Sequence, residues 1–149
     1  MNRPLALLVA GTFFMENLDA TMIATAAPAI AADLQVGPVD VNAAMTDYFV
    51  AVAAGLPASG WLSDRFGARR LLLVAIALSI VASAVCALSL DLPMLVVARA
   101  AQGVGGALMV PVGRLTVLRA TSKTELIDAI AYLTWPALLA PVVAPLLGG

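Results

Sequence analysis

Apolar residues run through this chain in five long blocks, roughly 5–31, 41–62, 71–90, 92–118 and 127–149, separated by short polar segments. A helix needs about 20 such residues to cross a hydrocarbon core of about 30 Å, so the pattern predicts five transmembrane helices. The separators carry turn and charge signals: Gly37-Pro38, the segment 63–70, Asp91-Leu92-Pro93, and the segment 121–125. The third is so short that the third and fourth helices are expected to form a tight hairpin.

Basic residues then orient the blocks. Arg3 precedes the first helix, Arg65, Arg69 and Arg70 lie between the second and third, and Arg119 and Lys123 lie between the fourth and fifth. The other two connections hold Asp33, Asp40 and Asp91 and no Lys or Arg. Basic and non-basic connections alternate, and basic loops stay inside, which predicts a cytoplasmic N-terminus. A wrong helix count would scramble the alternation, so it also supports five.

Composition agrees. The 149 residues are 62% hydrophobic and 11% charged, against about 45–50% and about 25% in a typical soluble domain. Much of the surface must therefore face lipid. The net charge of −1, with no basic stretch able to track phosphates, gives no nucleic-acid surface. There is no histidine, and no nucleophile–base set, metal cluster or phosphate-cradling loop is visible, so neither an enzyme nor a metal protein is expected. The single cysteine, Cys86, stands in an apolar run and is expected to pack as a small hydrophobe. The first block resembles a secretory signal. It is interrupted by Glu16, Asn17 and Asp19, runs on to Ile30 and lacks a small-x-small cleavage site, so an uncleaved first helix is the better reading.

Charges within the blocks carry the chemistry. A charge at the bilayer centre costs at least about 2.5–3.5 kcal/mol and marks a bundle interior or an aqueous path. Glu16 and Asp19, three apart, share a face of the first helix. At about 1.5 Å per residue, Asp19 lies roughly 20 Å above the inner boundary, and Arg99 of the fourth helix comes to about the same depth. Asp47 of the second helix falls at a similar level, so three charges on three helices can meet. Arg99 and Asp47 could instead reach water at the outer interface, but a short carboxylate at Asp19 cannot snorkel about 10 Å.

The fourth helix also carries Arg99, Gln102, Gly103 and Gly106 at i, i+3, i+4 and i+7, a single stripe. Gly103 and Ala107 have the small-xxx-small spacing that lets helices approach closely. Packing accounts for the small residues but not for the polar pair Arg99 and Gln102.

The segment Gly60-Trp61-Leu62-Ser63-Asp64-Arg65-Phe66-Gly67-Ala68-Arg69-Arg70 resembles the signature of the major facilitator superfamily between helices two and three, G-x-L-x-D-R-x-G-R-[KR]-[KR]. Only Ala68 departs. Gly67 permits a tight turn, Asp64 is an anion able to meet a helix N-terminus, and the arginines anchor the loop inside. In the family this loop helps latch the two halves, so the resemblance gives Gly60, Asp64, Arg65, Gly67, Arg69 and Arg70 a gating role.

Three further matches follow in order. Leu18-Asp19-Ala20-Thr21 with Ala27-Pro28 resembles the helix-one motif L-D-x-T…[LA]-P of the fourteen-helix drug:proton antiporters. Residues 99–107 resemble the helix-four motif R-x-x-Q-G-x-G-[GA]-A, implicated in proton coupling. Residues 140–149, with Pro141, Pro145, Gly148 and Gly149, resemble the helix-five motif G-P-x-x-G-P-x-x-G-G, but Ala140 and Ala144 replace the glycines before the prolines. That departure keeps the bend at proline and weakens the antiporter reading.

The resemblance implies an all-α transmembrane bundle of the major facilitator type, about five helices of an incomplete N-terminal six-helix half. It implies a secondary transporter exporting small, amphipathic organic compounds from a bacterial inner membrane. A proton gradient would supply the energy, without a cofactor. Asp19 and Arg99 would couple protons, with Glu16 and Gln102 lining the cavity. Family members have twelve or fourteen helices, so the chain is expected to need a C-terminal partner portion and not to transport alone. The alternatives are a sugar or metabolite facilitator of the same fold and a membrane fragment that only associates with other membrane proteins. A four-helix multidrug carrier with one membrane glutamate fails on the span count and the loop signature.

Overall fold

The computed structural model describes residues 3–148. Five long helices follow one another: α1 (Arg3–Asp33), α2 (Pro38–Phe66), α3 (Ala68–Ala87), α4 (Leu92–Arg119) and α5 (Leu126–Gly148), the last preceded by a 3-10 turn, Lys123–Glu125. No strand occurs among the described residues.

The helix ends follow from local chemistry. Gly37 precedes α2, with Pro38 at its first position, where a missing N–H costs nothing. The Asp40 carboxylate accepts from the Gly37 N–H at 2.9 Å. Asp91 caps α4 by accepting from the Met94 N–H at 2.9 Å. The link from α3 to α4 is four residues, 88–91, and the two helices pack side by side as the expected hairpin.

The 63–70 separator is almost wholly helical, a difference from the sequence expectation. α2 continues to Phe66 and α3 starts at Ala68, leaving Gly67 as the sole break, at φ 84 and ψ 135. Only that residue must leave the helical region, and glycine enters positive φ without a Cβ clash.

Polar residues inside α1 are satisfied by the turn before them, which lets them tolerate lipid. Thr12 donates to the Val9 carbonyl at 2.7 Å, Asn17 to Phe13 at 2.9 Å and Thr21 to Asn17 at 2.7 Å. Meanwhile large apolar side chains such as Leu73, Val81, Val97 and Leu138 point outward. In water such a surface would be an aggregation liability; in lipid it is the solvent-matched face. The chain is an integral membrane protein in contact with the bilayer.

Four helices (α1, α3, α4, and α5 with its preceding turn) are long and apolar enough to span a membrane. α2, expected as a fifth span, has 29 residues but is not among them; Asp47 and Pro57 interrupt its apolar run.

α4 is the most enclosed helix, packed by α2 and α3, while α1 packs chiefly on α5. One apolar core fills the end of the bundle where α1 begins. It joins Val9 and Phe13 of α1, Leu71 and Leu72 of α3, Val112 and Val117 of α4, and Leu133 of α5. Towards the other end this core gives way to polar side chains. That change of character places the site.

Candidate functional site

Asp19 and Arg99 meet where the apolar core stops. The Arg99 Nη1 donates to the Asp19 Oδ2 at 2.6 Å. Their side chains are 3% and 38% exposed, so a sheltered cation is tied to a carboxylate that borders open space. The guanidinium also lies over the Tyr48 ring, 5.7 Å from its centroid, within cation–π range.

One turn below, the Tyr48 hydroxyl of α2 donates to the Glu16 carboxylate of α1. Glu16 fits there because its neighbour on α4 is a glycine. A Cβ at Gly106 would collide with the Glu16 carboxylate. On its next face α4 meets α2: a Cβ at Gly103 would strike the Tyr48 carbonyl and stand 2.8 Å from the Ala51 Cβ. The stripe seen in the sequence therefore serves several neighbours, with Gly103 and Ala107 both on the α2 side.

Gln102 is 4% exposed and turns to α3. Its Nε2 donates to Ser83 Oγ at 2.7 Å, and its Oε1 accepts from Cys86 Sγ at 3.3 Å.

Glu16, Asp19, Tyr48, Ser83 and Gln102 all line one cavity of about 530 Å³, whose remaining wall is largely apolar, including Met15, Ile76, Ile80 and Met109. Apolar walls with a few convergent polar groups suit an amphipathic small molecule. A larger cleft of about 700 Å³ opens between α1 and α5 near Arg3, Asp128, Tyr132 and Trp135, away from these acids.

Four residues singled out in the sequence, Glu16, Asp19, Arg99 and Gln102, thus converge. Asp47 does not join them: among the described residues it has no hydrogen bond or ion pair with Asp19 or Arg99. Its neighbour Tyr48 occupies the face that looks into the cluster. Cys86 also departs from the simple apolar reading, because its thiol meets the Gln102 amide. Tyr48 and Ser83 were not anticipated, since neither belongs to a motif or carries a charge.

The loop-signature residues gather at the opposite end of α2. Asp64 and Arg65 lie in the last turn of α2, and Arg69 and Arg70 open α3, all four exposed. Arg65 packs over the rings of Trp61 and Phe66, at 5.4 and 5.9 Å. Asp64 makes no hydrogen bond or ion pair among the described residues, and no side chain caps the start of α3. Gly60 is exposed within α2.

On α5, Pro136, Pro141 and Pro145 all lie inside the helix. The two alanines that stand in place of motif glycines, Ala140 and Ala144, are both 0% exposed and pack with Leu18 of α1. The departure from the motif falls at the α1–α5 contact itself. Gly148 ends α5, and Gly149 lies outside the described residues.

Comparison with known proteins follows the same lines. The sequence model of the Major Facilitator Superfamily matches residues 9–149. The MdtD multidrug resistance protein of Salmonella dublin is 45% identical over 142 residues, 95% of this chain and 30% of the relative. Those of Salmonella newport and Salmonella typhimurium are 44% identical over the same shares. The chain thus spans about a third of the length of these curated relatives. With an all-helical bundle, a signature at the α2–α3 junction and a match over nearly its whole length, the chain belongs to the Major Facilitator Superfamily.

Proposed function

We propose that this chain forms part of a secondary active transporter that exports small, amphipathic organic compounds in exchange for protons. The observation that carries the reading is the Asp19–Arg99 pair at the edge of the cavity. A titratable carboxylate tied to a sheltered guanidinium across two helices links proton binding to helix contact: a proton on Asp19 removes the charge that holds Arg99. The names of the MdtD relatives, multidrug resistance proteins, support the drug substrate class.

In this reading Asp19 and Arg99 couple protons, while Glu16 and Gln102 line the cavity. Asp64, Arg65, Arg69 and Arg70, with Gly60 and Gly67, gate the inner side. Pro141, Pro145 and Gly148 shape the fifth helix, and Gly149 completes the same motif in the sequence. The proton gradient supplies the energy and no cofactor is needed. The protein is a transporter, not an enzyme, and resides in a bacterial inner membrane. Its N-terminus is cytoplasmic, as the basic residues at Arg3, Arg65–Arg70 and Arg119–Lys123 support. Its partners are the bilayer, the exported compound and a C-terminal portion that closes the cavity.

The test is drug-driven proton movement in proteoliposomes, using a transporter of the relatives' length that carries this segment. Asp19→Asn is expected to abolish it. A facilitator of sugars or metabolites would tolerate that change, so unimpaired coupling sinks the antiport reading.

A further inference from the structure

α3 reaches the site through two residues outside every motif. Ser83 and Cys86 stand three apart, so they share one face of α3, and that face meets Gln102 of α4. One end of the Gln102 amide donates to Ser83 Oγ at 2.7 Å, and the other accepts from Cys86 Sγ at 3.3 Å. Both ends of a single buried amide are therefore held by the same neighbouring helix. Turning the amide over would set its N–H against sulfur, a weak acceptor.

Packing alone does not require this. A side chain of suitable size at 83 and another at 86 would fill the same space. A hydroxyl opposite the amide nitrogen and a thiol opposite the amide oxygen is a donor–acceptor match. Nearby on α3, Ser79 provides the contrast: its Oγ lies against Gly105 and is buried without a hydrogen-bond partner.

We propose that Ser83 and Cys86 are positioning residues for Gln102. They hold its amide in one orientation at the cavity wall, leaving one N–H and one carbonyl lone pair for whatever the cavity contains. They also fix α3 against the face of α4 that carries Arg99, one turn from Gln102. A slip of α3 along α4 by a single residue, about 1.5 Å, would break the match at both ends. The functional consequence rests on the reading of Gln102 as part of the transport cavity; the clamp itself does not.

Cys86 is the chain's only cysteine, so alkylation by a small maleimide reports on the clamp without any engineered thiol. Alkylation needs a free thiolate, and the Cys86 thiol is instead engaged by the Gln102 amide oxygen. For the full chain in proteoliposomes at fixed pH, Gln102→Leu is expected to label several-fold faster than the native protein. Ser83→Ala should label faster by a smaller factor, and Ser83→Thr, which restores a hydroxyl, should return towards the native rate. Ser79→Ala should leave the rate unchanged. Unchanged labelling in both Gln102→Leu and Ser83→Ala overturns the clamp, and so does an equal rise in Ser79→Ala, which would mark general loosening of α3.

A second readout separates the clamp from the transport reading. In the whole transporter, Ser83→Ala should shift the pH profile of coupled efflux and Ser83→Thr should restore it. Labelling that responds while the pH profile does not upholds the clamp and shows that the orientation of the Gln102 amide does not bear on coupled efflux. A labelling rate that does not respond overturns the clamp whatever transport does.

Discussion

The guanidinium of Arg99 and the carboxylate of Asp19 are 80 residues apart in the chain and joined by one 2.6 Å bond between α4 and α1. The partners are unequally sheltered, at 3% and 38% side-chain exposure. Stability should therefore respond unequally to losing either one. Asp19→Ala leaves a sheltered guanidinium unpaired, and an uncompensated charge held away from solvent is the costlier of the two losses. Arg99→Met keeps an apolar stem and leaves a carboxylate that borders open space. Thermal unfolding in detergent should show the larger loss for Asp19→Ala, with the double variant more stable than Asp19→Ala alone. Equal losses in the two single variants would contradict this account.

Gly106 and Glu16 form a second, separable relationship. A Cβ at 106 would collide with the Glu16 carboxylate, forcing it off the Tyr48 hydroxyl. Gly106→Ala should destabilise the native chain yet be tolerated in a Glu16→Ala background. Interacting neighbours couple by about 0.5–3 kcal/mol, and a double-mutant cycle on unfolding midpoints would read that value. Strict additivity would show that the two sites do not touch.

Two glycines of α2 and α4 should behave in opposite ways. At Gly103 an added methyl meets the Tyr48 backbone and comes within 2.8 Å of Ala51, so α2 and α4 must part. Overpacking of this kind costs about 1–3 kcal/mol. At Gly60 nothing lies within 4 Å of the added Cβ. Gly60→Ala should leave the fold unharmed or stabilise it by about 0.5–1 kcal/mol. The same thermal assay distinguishes them, and a destabilising Gly60→Ala would show that its face is covered.

How much of this was legible in the sequence depends on which coordinate is asked for. Depth was legible: counting 1.5 Å per residue put Asp19 and Arg99 at one level, and they meet. Rotation about a helix axis was not. Each residue turns the helix by about 100°, so Asp47 and Tyr48 share a depth but face different ways. Which of them looks inward is set by how α2 seats on α4, with Gly55 against Ala107 and Ala51 against Gly103. That seating is a property of two helices and leaves no mark in the charge pattern of one. The same limit hid Ser83 and gave Cys86 an apolar reading, because their polar partner lies on another helix. Motifs succeeded where one residue dictates the backbone, as at Gly67.

Gly67 yields a fourth prediction. Its φ of 84 with ψ of 135 lies outside the left-handed helical well near ψ +45°, which asparagine can occupy. Gly67→Asn should therefore rescue little relative to Gly67→Ala, both losing about 1–3 kcal/mol. The loss should appear in unfolding midpoints. Full stability in Gly67→Asn would mean the junction can relax into the left-handed well.

The two polar links from α1, Asp19 to Arg99 and Glu16 to Tyr48, spring from adjacent turns of one rod, about 4.5 Å apart along it. They reach different helices, yet neither can be withdrawn alone by moving α1. A small twist of α1 about its own axis swings both carboxylates away at once, and α5, seated on Leu18 through Ala140 and Ala144, is placed to turn with it. Geometrically, α1 works like a key with two teeth: turning the rod moves both.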